Sequence, residues 1–302
     1  MVRVALVQME VGSSKAQNFQ KMEVLVERAV SQGAEMVLLP EIWNSPYDTS
    51  AFAEYAEVVP KDKIHLHEIR DQCMSSGLMS RLADAHNIWL VGGSIPEKCE
   101  ETGNVYNTLT VWNEEGDLVC KHRKVHLFDI DVKGDEARGI KPMRFRESDS
   151  LSAGDAMTVA VSPFDGAKVG FGICYDLRFP EFALAQTRED ATVKALVFPG
   201  AFNRTTGPAH WQLLLRARAL DTQCYVMACA PALNTESSYH SWGHSTVVSP
   251  WGDVILELGD DEEIGIVDID LSRVDVVRQQ IPVLQQRRTD LYQCGRTETR
   301  AE

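Results

Sequence analysis

Three side chains of this 302-residue sequence sit at the ends of predicted strands and could do chemistry together. The run VGFGICYDLRFPE at 169–181 passes from small and apolar residues into Cys174 and then into a pattern that predicts a helix reaching residue 184. A thiol at such a strand-to-helix turn lies at the open end of a sheet, where the free N–H groups and positive dipole end of the helix favour a thiolate. Gly170-Phe171-Gly172 adds little bulk beside the sulfur, so a carbonyl could approach it. The alternative is core filler, one buried thiol among seven cysteines. Met36-Val37-Leu38-Leu39-Pro40-Glu41 ends in a carboxylate at the carboxyl edge of a sheet, where α/β proteins tend to hold ligand-handling groups; a solvated loop carboxylate is the alternative. Lys121-His122-Arg123-Lys124 closes a predicted hairpin strand, which makes Lys124 a candidate site cation, although such runs are often solvated faces. The three chemistries are complementary. A thiolate attacks an amide carbonyl, a carboxylate takes and returns protons, and an ammonium stabilises a tetrahedral oxyanion.

Strands of a shared sheet can bring such ends together. Residues 2–9 read as a strand covered on both faces, residues 19–30 carry apolar side chains at helical spacing, and Gly33 stops that helix before the strand at 36–39. Helices are expected at 52–58 and 64–85, a strand at 88–95 containing Gly92-Gly93-Ser94, and a hairpin over 106–124. Residues 129–151 show no apolar period and are expected to form a lid-like excursion over the sheet edge. A hairpin at 157–174 and a strand at 195–200, again closed by proline, follow. Each half thus holds a strand–helix–strand unit with a proline-terminated strand, which predicts a two-layer core with internal pseudo-symmetry. The rest reads as a helix at 207–220, a buried strand at 224–230, a strand pair at 243–258, an edge strand at 264–269, a helix at 271–280 and a polar tail from Pro282.

With 44% hydrophobic residues and no linker, residues 1–302 are expected to fold as a single α/β domain. The formal net charge of −14 argues against nucleic acid or an anionic membrane as partner. No stretch approaches the length of a membrane span. The start, Met1 to Val7, runs into a strand pattern rather than a basic and apolar leader. The seven irregularly spaced cysteines contain no C-x-x-C pair, so free thiols in a reducing compartment are expected. That points to the cytoplasm, with a mitochondrial pool left open.

The blocks LLPE at 38–41, HRKVH at 122–126 and GICYDLRFPE at 172–181 give the chain its resemblance to the nitrilase superfamily, carbon–nitrogen hydrolases with a Glu-Lys-Cys triad. Through NSPY at 44–47, HRKVHLFDID at 122–131, TGPAHW at 206–211, and SSYH with GHS at 237–245, it most resembles the ω-amidase branch. The resemblance implies an αββα sandwich, two central sheets flanked by helices. It also implies a homodimer, no metal or organic cofactor, and small amide substrates such as α-ketoglutaramate and α-ketosuccinamate. It assigns Glu41 as general base, Lys124 as oxyanion stabiliser and Cys174 as nucleophile, and it adds Glu147, in Phe145-Arg146-Glu147-Ser148, as a further glutamate. Tyr47, Tyr175, Arg178, Phe202 and Asn203 are the candidates for contacting substrate, the N–H of Tyr175 as a second oxyanion donor. Arg178 suits a substrate carboxylate, but a structural ion pair is the commoner use of such an arginine. The segment 133–143 is longer than the branch leads one to expect. The alternatives are a deaminated-glutathione amidase, another superfamily amidase, or a silent scaffold that keeps the fold.

Overall fold

The computed structural model describes residues 1–61, 74–138, 142–188 and 190–292. The first half supplies strands β1 (Val2–Gln8), β2 (Met36–Leu38), β3 (Trp89–Lys98), β4 (Val105–Trp112) and β5 (Leu118–Arg123). A short pair, β6 (Asp129–Val132) and β7 (Met143–Arg146), follows. The second half supplies β8 (Thr158–Val161), β9 (Lys168–Phe171), β10 (Val193–Val197), β11 (Tyr225–Ala228), β12 (Thr246–Val248) and β13 (Val254–Glu257), and the chain returns to the first sheet as β14 (Glu263–Ile269).

Two six-stranded sheets result, ordered β14-β1-β2-β3-β4-β5 and β13-β12-β11-β10-β9-β8. In each, three central strands run parallel and the flanking pairs are antiparallel. β2 and β10 therefore hold equivalent central places, and each is followed by an apolar residue and a proline, Leu39-Pro40 and Phe198-Pro199. This is the pseudo-symmetry the paired proline-ended strands imply.

Alternation along the strands separates two cores. Val4, Leu6, Met36, Leu38 and Val91 belong to the core that includes the second sheet, whereas Ala5, Val7, Val37, Leu39 and Leu90 pack with helical residues such as Met22, Leu25 and Leu82. Trp89 reaches Phe171 across the sheets, with ring centroids 6.2 Å apart. Helices α1 (Lys15–Ser31) and α3 (Met74–His86) cover the first sheet, with the four-residue α2 (Phe52–Tyr55) between them in sequence. α4 (Pro180–Thr187) and α5 (Gly207–Thr222) cover the second, and α6 (Arg273–Gln280) follows β14.

Several elements differ from the sequence expectations. The strand expected to end at 95 continues to Lys98, and Pro96 is tolerated in it because β2 pairs with β3 only as far as Val91. The helix expected over 52–58 stops at Tyr55, since Ala56 turns extended and Glu57 bridges to Glu97. Residues 64–73 of the helix expected at 64–85 lie outside the described residues, and its remainder is α3. The excursion at 129–151 is not irregular throughout: Ile130 pairs with Phe145 and Val132 with Met143. Finally, the cysteine turn does not open a helix running to 184. Residues Cys174–Arg178 form a 3-10 turn, Phe179 breaks it in an extended conformation, and α4 starts afresh at Pro180.

Candidate active site

Glu41 is positioned by the turn after β2 and by a bulge in β3. The β3–β4 register slips between Val91 and Ser94, which turns Ser94 toward the Glu41 segment. Ser94 N donates to Pro40 O (3.1 Å), Ser94 Oγ accepts from Ile42 N (3.1 Å), and Trp43 Nε1 donates to Gly92 O (2.9 Å). Gly93 has φ +57°, and a Cβ there would lie 2.1 Å from the Pro40 carbonyl oxygen. Gly93→Ala is therefore expected to lower stability by about 2 kcal/mol or more and to reduce activity per folded molecule, because Pro40 and Glu41 must shift together. Thermal melting with kcat per folded protein checks it, and a variant matching the parent in both would contradict this account of the turn.

The Glu41 carboxylate is fully buried and its two oxygens differ in their partners. Oε1 accepts from Lys124 Nζ (3.0 Å), Asn107 Nδ2 (2.8 Å) and, at 3.4 Å, the Tyr47 hydroxyl. Oε2 accepts from Ala201 N (2.7 Å), on the segment after β10. The two pseudo-equivalent strand ends thus meet at one carboxylate.

Lys124 follows β5, anchored by its N–H to Asn107 O (2.8 Å), and its fully buried ammonium also reaches Glu147 Oε1 (2.9 Å). Glu147, just after β7, is equally buried; Oε1 takes a second bond from Tyr47 OH (2.8 Å) and Oε2 one from Phe128 N (2.7 Å). The β6–β7 ribbon is what delivers this second carboxylate.

Cys174 sits at an elbow after β9 with φ +47°, a conformation non-glycine residues rarely adopt. Its N–H is held by Pro199 O (2.8 Å), and its thiol lies close enough to Glu41 and Lys124 for the carboxylate to disfavour the thiolate and the ammonium to favour it. A Cβ at Gly200 would come within 3.2 Å of Cys174 Cα, so the elbow and the β10 end are packed backbone to backbone.

Burial sets the charge states. It pushes the Cys174 thiol well above its ordinary pKa, Glu41 adds to this, and Lys124 only partly opposes it, so the resting sulfur carries its proton. No α-helix starts at Cys174 to lower that pKa by its dipole, contrary to the sequence expectation. Burial likewise raises Glu41, partly offset by the Lys124 ammonium, while Glu147 adds to the rise. For Lys124, burial alone would favour the neutral amine, but Glu147, Glu41 and Cys174 outweigh it and the ammonium is retained. A thiol beside a carboxylate of raised basicity, with an ammonium fixed next to both, can pass a proton and receive developing negative charge.

The other candidates divide. Tyr47 bonds the two carboxylates, with its ring stacked on Phe145 and tilted against Tyr239. The N–H of Tyr175 belongs to the first residues of the 3-10 turn, which have no carbonyl behind them in the turn. Arg178 has no carboxylate partner among the described residues, so the structural ion pair is not found. Its guanidinium lies over Phe202 (4.6 Å to the ring centroid) and Tyr175 (5.6 Å), and Nη1 donates to His210 Nδ1 (3.2 Å). Phe202 packs on Trp211 beneath it. Asn203 is spent on structure: its Oδ1 accepts from Thr205 N (2.9 Å) and Thr206 N (3.0 Å) ahead of α5, and its Nδ2 meets Met143 Sδ (3.1 Å).

A cavity of about 20 Å³ beside Glu41, Tyr47 and Tyr239 has room for about one water. A larger one of about 500 Å³ lies elsewhere, around Glu97, Cys99 and Arg123, and none of the clustered residues lines it. Among the described residues, no group of three or more His, Cys, Asp or Glu side chains is arranged to hold a metal.

Sequence reasoning gave no role to Asn107 or Asp176. Asn107 looked like one residue of a strand, and only the fold shows it orienting Glu41 and anchoring Lys124. Asp176 was visible beside Cys174 in CYDLRFPE, but its partners, His122 and His126, are more than 45 residues away.

The two-sheet architecture is shared with solved nitrilase-superfamily structures, and the model of the carbon–nitrogen hydrolase family matches residues 3–279; the chain belongs to it. It is 48% identical over 290 residues to the omega-amidase NIT2 of Xenopus tropicalis and 46% identical over 290 residues to that of Homo sapiens, covering 96% of both chains in each case. Among solved structures it is similar to Saccharomyces cerevisiae Nit3, a member of branch 10 of the nitrilase superfamily. That likeness has a TM-score of 0.82 and 41% identity, and covers 95% of this chain and 96% of the other. Among the described residues no helix is long and apolar enough to cross a membrane.

Proposed function

We propose that this carbon–nitrogen hydrolase is an ω-amidase, releasing ammonia from the terminal amide of dicarboxylate monoamides such as α-ketoglutaramate and α-ketosuccinamate. The observation that carries the chemistry is the convergence of Glu41, Lys124 and Cys174 in one buried cluster. The relatives named omega-amidase support the substrate class.

In the first half-reaction the Cys174 sulfur attacks the amide carbon as its proton passes to Glu41. Oε1 is already occupied by two close donors and a longer one, which leaves Oε2 as the oxygen to take the proton. Lys124 and the N–H of Tyr175 stabilise the oxyanion. Glu41 then protonates the nitrogen, the C–N bond breaks, and ammonia leaves a thioester on the sulfur. A water, for which the small cavity beside Glu41 has room, gives a proton to Glu41 and adds to the thioester; the sulfur leaves and is reprotonated. Glu147 keeps Lys124 charged and fixed throughout.

Arg178 is assigned to the substrate's distal carboxylate, because its guanidinium is half-buried over two aromatic rings, four residues after the nucleophile on the same 3-10 turn, without an acid of its own among the described residues. Arg178→Gln should raise KM for α-ketoglutaramate at least tenfold with kcat changed less than threefold, and leave the hydrolysis of an uncharged short amide untouched. Equal effects on both substrates would remove Arg178 from substrate recognition. Ammonia release measured across short dicarboxylate monoamides, uncharged amides and deaminated glutathione tests the whole assignment, which predicts the highest kcat/KM on the first group.

The enzyme is assigned as a cytoplasmic homodimer working without a cofactor. Support for the compartment is that the five described cysteines are unpaired, and for the dimer that Leu213, Leu220 and Trp251 are exposed. Light scattering at micromolar concentration tests the dimer.

A further inference from the structure

Asp176 has more bonds than any surface role explains. It is fully buried, and between them its two carboxylate oxygens serve two segments of the chain. Oδ2 accepts from Ile173 N (2.9 Å) and faces His122 Nε2 (3.3 Å); Oδ1 accepts from His126 N (2.9 Å) and pairs with His126 Nδ1 (2.7 Å). Ile173 immediately precedes the nucleophilic cysteine, and His122 and His126 stand two residues to either side of Lys124. One carboxylate therefore ties the cysteine elbow to the lysine segment.

Both histidines are braced on their far sides. His126 stacks on Phe179 with centroids 3.7 Å apart and meets Phe182 edge-on, and His122 Nδ1 lies 3.2 Å from Thr158 Oγ1. The elbow itself is in a disfavoured conformation, which persists only where surrounding bonds over-determine it. The carboxylate supplies the bond on Ile173 that holds this conformation. It also sets how far the sulfur stands from the Lys124 ammonium, a separation on which oxyanion stabilisation depends.

We propose that Asp176, acting through His122 and His126, is a positioning residue that fixes the placement of Cys174 relative to Lys124 during acyl transfer. It touches no reacting atom, and the proposal rests on the assignment of those two residues in the preceding section.

Asp176→Asn is the first test, because four donors converge on two oxygens and an amide can serve only one of the two pairs. Release of either the elbow or the lysine segment should lower kcat about 100-fold with KM within threefold of the parent, the size expected for a displacement near 1 Å. The pH midpoint for alkylation of Cys174 by iodoacetamide should rise, because the thiolate loses part of its lysine neighbour. A folded variant with kcat within threefold of the parent, or with an unshifted alkylation profile, overturns the proposal. Should that variant fail to fold, His126→Gln keeps Asp176 on Ile173 and on the His126 backbone while removing the ring. It should cost about tenfold in kcat, and an unchanged kcat overturns the proposal equally. Alkylation needs no amide substrate, so failure of the parent enzyme on ω-amides would sink the proposed activity while leaving this reading of Asp176 to be judged separately.

Discussion

Replacing Cys174 by Ala lowers ammonia release from α-ketoglutaramate by at least about 10⁴-fold while leaving a folded protein. The size follows from losing the atom that forms the covalent intermediate: without it only binding and oxyanion stabilisation remain, and residues that act as a unit lose nearly everything when one is removed. Folding should survive because the elbow is held by backbone groups, Cys174 N on Pro199 O and Ile173 N on Asp176, which alanine leaves in place. The positive φ is no easier for alanine, so a small loss of melting temperature is expected as well. Steady-state assay beside a thermal melt checks both, and turnover near the parent rate would mean the thiol is not the nucleophile.

Replacing Glu41 by Gln is expected to cost about 10³-fold in kcat without destabilising the protein. The rate loss is that of a general base serving both half-reactions. Stability behaves differently because Lys124 is one ammonium between two buried carboxylates, Glu41 and Glu147. The folded-state pKa of Glu41 is raised, chiefly by burial. Its stabilising contribution is therefore full below the unfolded value and declines as pH rises through the folded value, so at neutral pH the ionised carboxylate is a burden. A neutral amide removes that burden but sets its NH2 against a buried donor, either the Ala201 N–H or the Lys124 and Asn107 groups, so the two effects oppose and the melting temperature near pH 7 should stay close to the parent's. The same shift places the acid limb of the parent's kcat/KM profile above the usual carboxylate range, since Glu41 must lose its proton before it can accept one from the thiol. A Gln variant that melts well below the parent, or an acid limb at an ordinary glutamate value, would contradict this.

What could be read from the sequence and what could not follow a physical division. Glu41, Lys124 and Cys174 could be singled out because each ends a predicted strand, and a strand's end is a local property. The paired proline-ended strands were legible for the same reason, and they are β2 and β10, the equivalent strands of the two sheets. Partnerships were not local. Asn107 meets Glu41 across 66 positions and Asp176 meets His126 across 50, so neither role has a signal in its own neighbourhood. The β6–β7 ribbon was missed because its alternation, Ile130 and Val132 against Phe145 and Met143, spans four residues a side within a highly charged stretch. The break between the cysteine turn and α4 did carry a mark: proline at 180 pushes Phe179 out of helical conformation. Arg178 shows the limit most clearly, since its residue type suits an ion pair or a substrate, and only the rings beneath it and the lack of an acid among the described residues separate the two.

The most direct measurement is the intact mass of the enzyme, acid-quenched during turnover of α-ketoglutaramate and followed by peptide mapping. A thioester mechanism through this cluster predicts a transient gain equal to the substrate less ammonia, confined to the peptide that carries Cys174. Product formation with no adduct at any quench time, or an adduct on a different cysteine, would contradict it.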